Sequence, residues 1–341
     1  MHLTLTCLAV WLLAPPAFSA PVASPAAPAR MMKWADSTRL GSPMSKDPNV
    51  IEFGGRYLMY FSLPPFAPKL APANAPAGWS IGIAESRDLF TWKKVGELWP
   101  EQECERRGLC TPSAIVLGGK VHLFYASYGN GRKDGICHAV SEDGLRFTRD
   151  PSNPVFHPTG GWTSGRAIDP EVFPVGDQLL LYFATRDPEM KIQMLGVAGA
   201  DLKSDFGRQS WKQLRDAPIL KPELPWERLC IEAPSLCRRG DELVMFYAGG
   251  YNNDPQQVGG AVSRDGLRWE RCGKEPFLRN GQPGEWNFSE SGHPGVFTGR
   301  DGQTWLFFQG NNDRGATWFL SRAAVGWSGN RPKALTAEDF R

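Results

Sequence analysis

The sequence has no surplus of charge to offer a polyanion: 38 Lys and Arg residues stand against 36 Asp and Glu. Nucleic-acid binding draws on basic side chains gathered in excess on one face, so that class of partner is set aside. Long apolar runs are also lacking. The apolar stretch at residues 7–14 falls far short of the ~20 residues that cross a bilayer, and no membrane span is expected. Histidine is scarce, five in all, and the seven cysteines follow no zinc-ligand spacing, which argues against a Cys/His metal centre. Uninterrupted helix is disfavoured as well. The 37 glycines and 29 prolines break the chain often, as suits many short strands joined by turns.

What is present begins with an export signal. Residues 7–14 form its apolar core, and the small residues Ala17 and Ser19 supply a cleavage site, although the usual basic n-region is missing. This marks 1–19 as a signal peptide, 20–32, rich in Ala and Pro, as a disordered spacer, and 33–341 as the folded domain. A periplasmic or extracellular location follows. Cys7 would leave with the signal, and Cys104, Cys110, Cys137, Cys230, Cys237 and Cys272 remain. An oxidising compartment permits disulfides among them, with Cys104 and Cys110 the candidate pair for a small loop.

The domain repeats. Five segments each carry an X-Pro step, an alternating apolar strand, a turn and a second strand dense in Tyr, Phe and Leu. Their prolines are Pro48, Pro112, Pro170, Pro234 and Pro294, spaced by 64, 58, 64 and 60 residues. Proline is tolerated where a strand begins, because its missing N–H costs no ladder bond there. A second motif follows in three repeats, as Ser86-Arg87-Asp88, Ser141-Glu142-Asp143-Gly144 and Ser263-Arg264-Asp265-Gly266, a tight turn that joins a third strand to a fourth. The third repeat has a looser version between Asp201 and Trp211. Five such units predict an all-β fold, a five-bladed β-propeller of four-stranded antiparallel blades. The fifth blade lacks the turn motif, so its outer strand is expected either from residues 331–335 or from the N-terminal stretch near Trp34.

In a propeller the first strand of each blade lines the central channel, so equivalent strand starts meet in one funnel. There the chain places Asp47, Thr111, Asp169, Glu232 and His293. A single Asp-Pro step usually does no more than start a strand. Three acids in register with the repeat would share a partly desolvated pocket, where like charges push their pKa values apart. Glycosidic hydrolysis needs that separation, with one carboxyl protonated for the leaving oxygen and another ionised to act on water or the anomeric carbon.

Lys46-Asp47-Pro48, Ile168-Asp169-Pro170, Ile231-Glu232-Ala233-Pro234 and Ser291-Gly292-His293 together resemble the four signature sites of glycoside hydrolase family 43, the five-bladed arabinanase and xylosidase group. The resemblance runs from about residue 47 to 308, in the family's blade order. It implies that Asp47 is the general base that activates water and Glu232 the general acid, with Asp169 orienting the acid and holding its pKa up. It also implies inversion, with base and acid about 6.5–9.5 Å apart. His293 corresponds to a histidine near the channel axis, where relatives hold a cation such as Ca2+ or a water network; the alternative is a hydrogen-bonded core histidine. No cofactor is required. Two departures stand out: Ala233 follows Glu232 where many relatives have Gly, and Pro294-Gly295 follows His293. Asp47-Pro48-Asn49 also matches related propellers that cut fructosides, in which the first-blade aspartate is a nucleophile and the configuration is retained.

Aromatic and polar side chains near the strand ends are candidates for holding an oligosaccharide or polysaccharide. Phe61, Trp79, Tyr128 and Trp162 offer stacking faces. Arg166, Asn287, Glu290, Gln309, Asn311, Asn312 and Arg314 offer hydrogen bonds to hydroxyls, and Arg314 resembles an arginine that follows the fifth-blade strand in the family. Gly78-Trp79-Ser80-Ile81-Gly82 fits the G-x-S-x-G pattern of serine hydrolases, but the residues after it continue a strand and give no helix signal, so an esterase is set aside. The readings carried forward are an exported inverting glycosidase, a retaining fructosidase and a non-catalytic carbohydrate-binding propeller.

Overall fold

The computed structural model describes residues 31–336 and Asp339. The expected signal peptide at 1–19 and nearly all of the expected spacer at 20–32 lie outside the described residues. Among the described residues, helix is confined to single 3-10 turns such as Glu103–Glu105 and Pro225–Glu227, and no helix is long and apolar enough to cross a membrane.

Five antiparallel sheets follow one another along the chain. Blade 1 contains β1 (Lys46–Phe53), β2 (Arg56–Leu63), β3 (Ser80–Ser86) and β4 (Lys93–Leu98). Blade 2 contains β5 (Leu109–Leu117), β6 (Lys120–Ser127), β7 (Ile136–Ser141) and β8 (Thr148–Arg149). Blade 3 contains β9 (Ile168–Val175), β10 (Gln178–Arg186), β11 (Gln193–Asp201) and β12 (Lys212–Gln213). Blade 4 contains β13 (Ile231–Arg239), β14 (Glu242–Gly249), β15 (Gln257–Ser263) and β16 (Glu270–Arg271). Blade 5 contains β17 (Glu290–Thr298), β18 (Thr304–Asn311) and β19 (Phe319–Ala324). The first strands pack in a cycle, β1 on β5, β5 on β9, β9 on β13, β13 on β17 and β17 back on β1. This is the five-bladed propeller that the repeat predicts.

The N-terminal stretch completes the fifth blade. The Trp34 and Leu320 backbones exchange hydrogen bonds of 2.9 and 2.8 Å, and Ser321 Oγ donates to the Met32 carbonyl. Residues 331–335, the other expected source, are used elsewhere: β20 (Trp327–Ser328) pairs with β21 (Arg331–Pro332), and Leu335 N donates to the Phe277 carbonyl. Segments far apart in the sequence thus meet in one sheet and close the ring.

The turn motif joins third to fourth strands as expected, and it also ties blades together. Asp143 Oδ1 accepts the Leu145 and Arg146 N–H groups, and Asp265 Oδ1 accepts those of Leu267 and Arg268. Each turn then offers its glycine carbonyl to the preceding blade, Gly144 to Tyr60 Oη (2.9 Å) and Gly266 to Tyr182 Oη (3.0 Å). Buried tyrosines need such partners, and here each satisfies one across a blade interface.

Each first strand bulges at its X-Pro step. The residue before proline has positive φ in all five blades: Asp47 55°, Thr111 51°, Asp169 51°, Ala233 48° and His293 43°. The ladder to the second strand shifts register at the same place in each blade. A bulge adds one unpaired residue and re-aims the side chains beside it, and left-handed backbone at a residue with a side chain costs roughly 1–2 kcal/mol. Cross-blade hydrogen bonds hold the arrangement. The side chain just after proline accepts a backbone N–H of the next blade: Asn49 from Ala114, Ser113 from Val172, Glu171 from Leu236 and Ser235 from Val296. In blade 5 that position is Gly295.

Two expectations are corrected here. In blade 4 the residue matching Asp47, Thr111, Asp169 and His293 is Ala233, and Glu232 lies one position earlier, in regular pairing with Ala248. Cys104 does not meet Cys110: its Sγ lies 3.9 Å from Cys137 Sγ, while Cys110 is committed to β5 with its thiol beside Thr111 Oγ1. All six described cysteines are free thiols.

Gly295 closes the ring because a Cβ there would stand 1.9 Å from the Pro48 carbonyl oxygen. Both groups are backbone and cannot rotate away. Gly295→Ala should therefore lower stability by about 1–3 kcal/mol, read as a drop in melting temperature, whereas Ser235→Gly, which removes one stitch without a clash, should lower it less.

Candidate active site

The bulges build the site. Because strand alternation is broken at each X-Pro step, two consecutive residues face the same end of the channel instead of one. Lys46 with Asp47, Cys110 with Thr111, and Ile168 with Asp169 line one cavity, joined there by Glu232 and His293. About 550 Å³ of empty space, part of it open to solvent, stands over them. Trp79, Tyr128, Arg166, Arg186, Gln193, Tyr251 and Asn252 form its walls.

His293 bridges two of the carboxylates. Its Nδ1 lies 2.8 Å from Asp47 Oδ1 and its Nε2 3.0 Å from Glu232 Oε1. Those two contacts and the width of one imidazole ring cap the separation of the two oxygens at about 8 Å. Glu232 is held further by Gln256 Nε2, which donates to Oε1 at 2.7 Å, and by Gln193 Nε2, which donates to Oε2. Gly292 is needed for this: a Cβ there would come within 1.9 Å of the Gln256 amide oxygen.

Burial and charge sort the protons. Burial pushes Asp47 up, but the His293 charge and hydrogen bond, aided by Lys46, outweigh it and hold this carboxyl at about 2. Burial likewise pushes Glu232 up, and His293, Gln256 and Lys46 bring it below its ordinary value. Burial lowers His293, yet Asp47 and Glu232 raise it well above the ordinary histidine value, so the imidazole is charged at neutral pH. For Asp169, burial and the neighbouring Glu232 charge act together and push it up to about 7. Its Oδ2 is buried with no hydrogen-bond partner. Below about pH 7 the free site therefore holds two carboxylates, one imidazolium between them and one carboxylic acid, and that acid is Asp169 rather than Glu232. The expected influence of Asp169 on Glu232 is outweighed in the free site by the bonds that favour ionised Glu232.

A cation at His293 does not fit this arrangement, since both ring nitrogens are engaged by carboxylates and the ring has no lone pair left to give. Among the described residues no group of three or more His, Cys, Asp or Glu side chains is disposed to hold a metal ion.

Of the other side chains singled out from the sequence, Trp79, Tyr128 and Arg166 reach the cavity. Trp79 is positioned by a backbone bridge to Gly108. Arg166 is buried, its Nε 3.0 Å from Asp134 Oδ2. Gln309 stands behind the site: its Oε1 accepts the Asp47 N–H (3.1 Å) and its Nε2 donates to Glu290 Oε1 (2.8 Å). Phe61 is fully buried, with its ring edge-on to Trp34 at 5.0 Å, and Trp162 packs over Gly196 beside Phe183. Asn311 is buried against Asn253 and Gly315. Asn287 is buried, donating to Ser291 Oγ, and Asn312 and Arg314 are exposed away from the cavity lining. Ser80 lies buried in β3, not on an elbow. Sequence reasoning missed Arg186, Gln193, Gln256, Tyr251 and Asn252. Arg186 and Gln193 lie at facing ends of β10 and β11, and their alternation along those strands was the available signal.

The profile described as Glycosyl hydrolases family 43 matches residues 40–325. A crystal structure of a thermostable family-43 glycoside hydrolase is similar with a TM-score of 0.68 at 17% identity, covering 86% of this chain and 94% of that one. An alpha-L-arabinofuranosidase from Lactobacillus brevis gives 0.63 at 15% identity, covering 85% and 94%. At these identities the likeness speaks for the fold alone. A sucrose-6-phosphate hydrolase of Zymomonas mobilis subsp. mobilis is 26% identical over 231 residues, which are 61% of this chain and 42% of that protein. The chain spans less than half the length of the curated relatives it matches.

The Asp169 proton has a measurable consequence. Folded, this carboxyl releases its proton only near 7, whereas the unfolded chain releases it near 3.8. It adds no penalty below the lower value and lowers stability progressively as pH rises toward the upper one. Asp169→Asn should therefore raise the melting temperature relative to the parent at about pH 8 and change it little near pH 4. Equal shifts at both values would contradict a raised Asp169.

Proposed function

The chain belongs to glycosyl hydrolases family 43 and is a glycoside hydrolase; from that premise we propose an exported enzyme that removes arabinofuranose- or xylose-like units from plant-type oligo- and polysaccharides, with inversion. The observation that carries the reading is the meeting of Asp47, Asp169 and Glu232, with His293, in one cavity at the channel mouth.

Asp47, ionised throughout the working range, takes a proton from a water molecule as that water's oxygen bonds to the anomeric carbon. Glu232 delivers a proton to the glycosidic oxygen as its bond to that carbon breaks. The ceiling of about 8 Å between the two carboxyl oxygens is compatible with a water between base and sugar. Below about pH 7 one carboxyl proton is available to the Asp169–Glu232 pair, and it rests on Asp169 until substrate alters the surroundings of Glu232. Trp79 and Tyr128 offer ring faces to the apolar side of a sugar. Export rests on the apolar core at 7–14 and the small residues behind it, and N-terminal sequencing of the secreted protein tests it.

The fructosidase alternative draws on Asp47-Pro48-Asn49 and on the likeness to a sucrose-6-phosphate hydrolase. Asn49, however, is occupied in accepting the Ala114 N–H at 2.9 Å, so the triplet has a structural use in this propeller whatever the chemistry. A purely carbohydrate-binding role would need neither an acid nor a base placed at the cavity floor.

Glu232→Gln keeps the shape and removes the proton donor. Turnover of arabino- or xylo-oligosaccharides should fall by about 10²–10⁴-fold, with far less loss on dinitrophenyl pentosides, whose leaving group needs no proton. Asp169→Asn, which removes the proton held beside Glu232, should slow the oligosaccharides more than the dinitrophenyl pentosides. If Glu232→Gln leaves oligosaccharide turnover unchanged, the assignment is lost. The anomer released first, followed by NMR, separates inversion from the retaining alternative.

A further inference from the structure

Among the described residues, two cations of the cavity, Lys46 and Arg186, make no ion pair with a carboxylate, and Arg186 has no part in the chemistry above. Of its positive groups, His293 is balanced by Asp47 and Glu232, and Arg166 by Asp134. Lys46 Nζ lies 4.4 Å from the Trp318 ring and donates to Asn252 Oδ1 at 3.0 Å, with its charge acting on Asp47 and Glu232. Arg186 stands apart. Among the described residues no carboxylate lies within ion-pair reach of its guanidinium. Its Nε donates to Gln193 Oε1 (3.0 Å), its Nη1 reaches the Met190 carbonyl (3.4 Å), and its plane lies 5.2 Å from the Tyr251 ring.

These contacts fix the fork and leave one edge open. Among the described residues Nη2 has no acceptor, so the guanidinium is oriented by neutral groups while its charge faces the cavity that it lines. Gln193 links it to the reaction centre, since the same amide that accepts from Arg186 donates to Glu232 Oε2. Arg186 is therefore one amide side chain away from a catalytic carboxylate, within reach of a sugar unit flanking the scissile bond. Neutral hydroxyls do not require a full, half-buried charge without a counter-ion. A carboxylate or phosphate does, because a guanidinium matches two of its oxygens with two parallel N–H bonds.

We propose that Arg186 forms an oxyanion subsite, so that the sugar this enzyme prefers carries a carboxylate or phosphate group next to the bond that is cut. The proposal rests on the reading of this cavity as the glycoside site.

Calorimetric titration of the full chain with D-glucuronate, D-glucose 6-phosphate, D-glucose, D-xylose and inorganic phosphate tests it. At least one acidic sugar should bind roughly 10- to 100-fold more tightly than its neutral counterpart, the value of a charge-assisted hydrogen-bond pair, and added salt should erode the difference. Preference for the uronate, for the phosphate, or for both supports the subsite and names its ligand. Arg186→Gln should abolish the preference and Arg186→Lys should keep part of it, with melting curves recorded for both. Equal binding of acidic and neutral sugars, no saturable binding of any, a preference that survives in Arg186→Gln, or inorganic phosphate alone binding as tightly as the sugar phosphate overturns the proposal. Hydrolysis of neutral nitrophenyl pentosides is scored separately. Cleavage without acid preference sinks only the subsite, and acid preference without cleavage of any glycoside sinks only the hydrolytic reading.

Discussion

The structure depends on a left-handed backbone residue placed before a proline at the same level in every blade. Alone, such a residue is unfavourable, and five of them in one ring require compensation from outside each blade. It comes from the neighbours. Ser62 Oγ accepts the Thr111 N–H and Gln309 Oε1 accepts the Asp47 N–H, while in the first four blades the residue after proline takes a backbone N–H from the next blade. No blade can hold its own bulge, which makes ring closure and site formation a single event. In the first three blades the same bulge brings two consecutive side chains to the channel mouth, so a narrow ring of backbone presents enough functional groups for acid–base chemistry.

Within that ring, His293 decides the distribution of charge. Three buried carboxyl groups this near one another would repel, and solvent is too remote to screen them. The imidazolium settles two of them as carboxylates and leaves the third to keep its proton. Gln193 and Gln256 reinforce the choice by donating to Glu232, and Gly292 makes room for the second of these amides. These groups come from several blades, and the proton inventory belongs to the assembly rather than to any one residue.

Much of this was legible in the chain. The spacing of the five X-Pro steps predicts five blades, and the Ser-x-Asp-Gly turns predict where third strands pass to fourth. The identity of the acids at those steps points to sugar chemistry before any coordinates are considered. The register of blade 4 was not legible: Glu232-Ala233-Pro234 reads as a variant of Asp-Pro, whereas the matching residue is Ala233. Aromatic residues were poorly discriminated, because Phe61 and Trp162 carry the same side-chain chemistry as Trp79 and Tyr128, and only packing separates a core ring from a cavity wall. Gln309 was read as a substrate ligand and instead secures the backbone of Asp47.

By itself the sequence determined the period, the class of strand and turn, and which residue types stand at the strand starts, since these follow from local backbone preferences along a single segment. Only the tertiary structure decided which N-terminal residues close the fifth blade, which cysteine faces which, where the carboxyl proton resides and that Arg186 enters the cavity. Those outcomes depend on distances and desolvation among residues from different blades, and such quantities do not exist until the ring is closed.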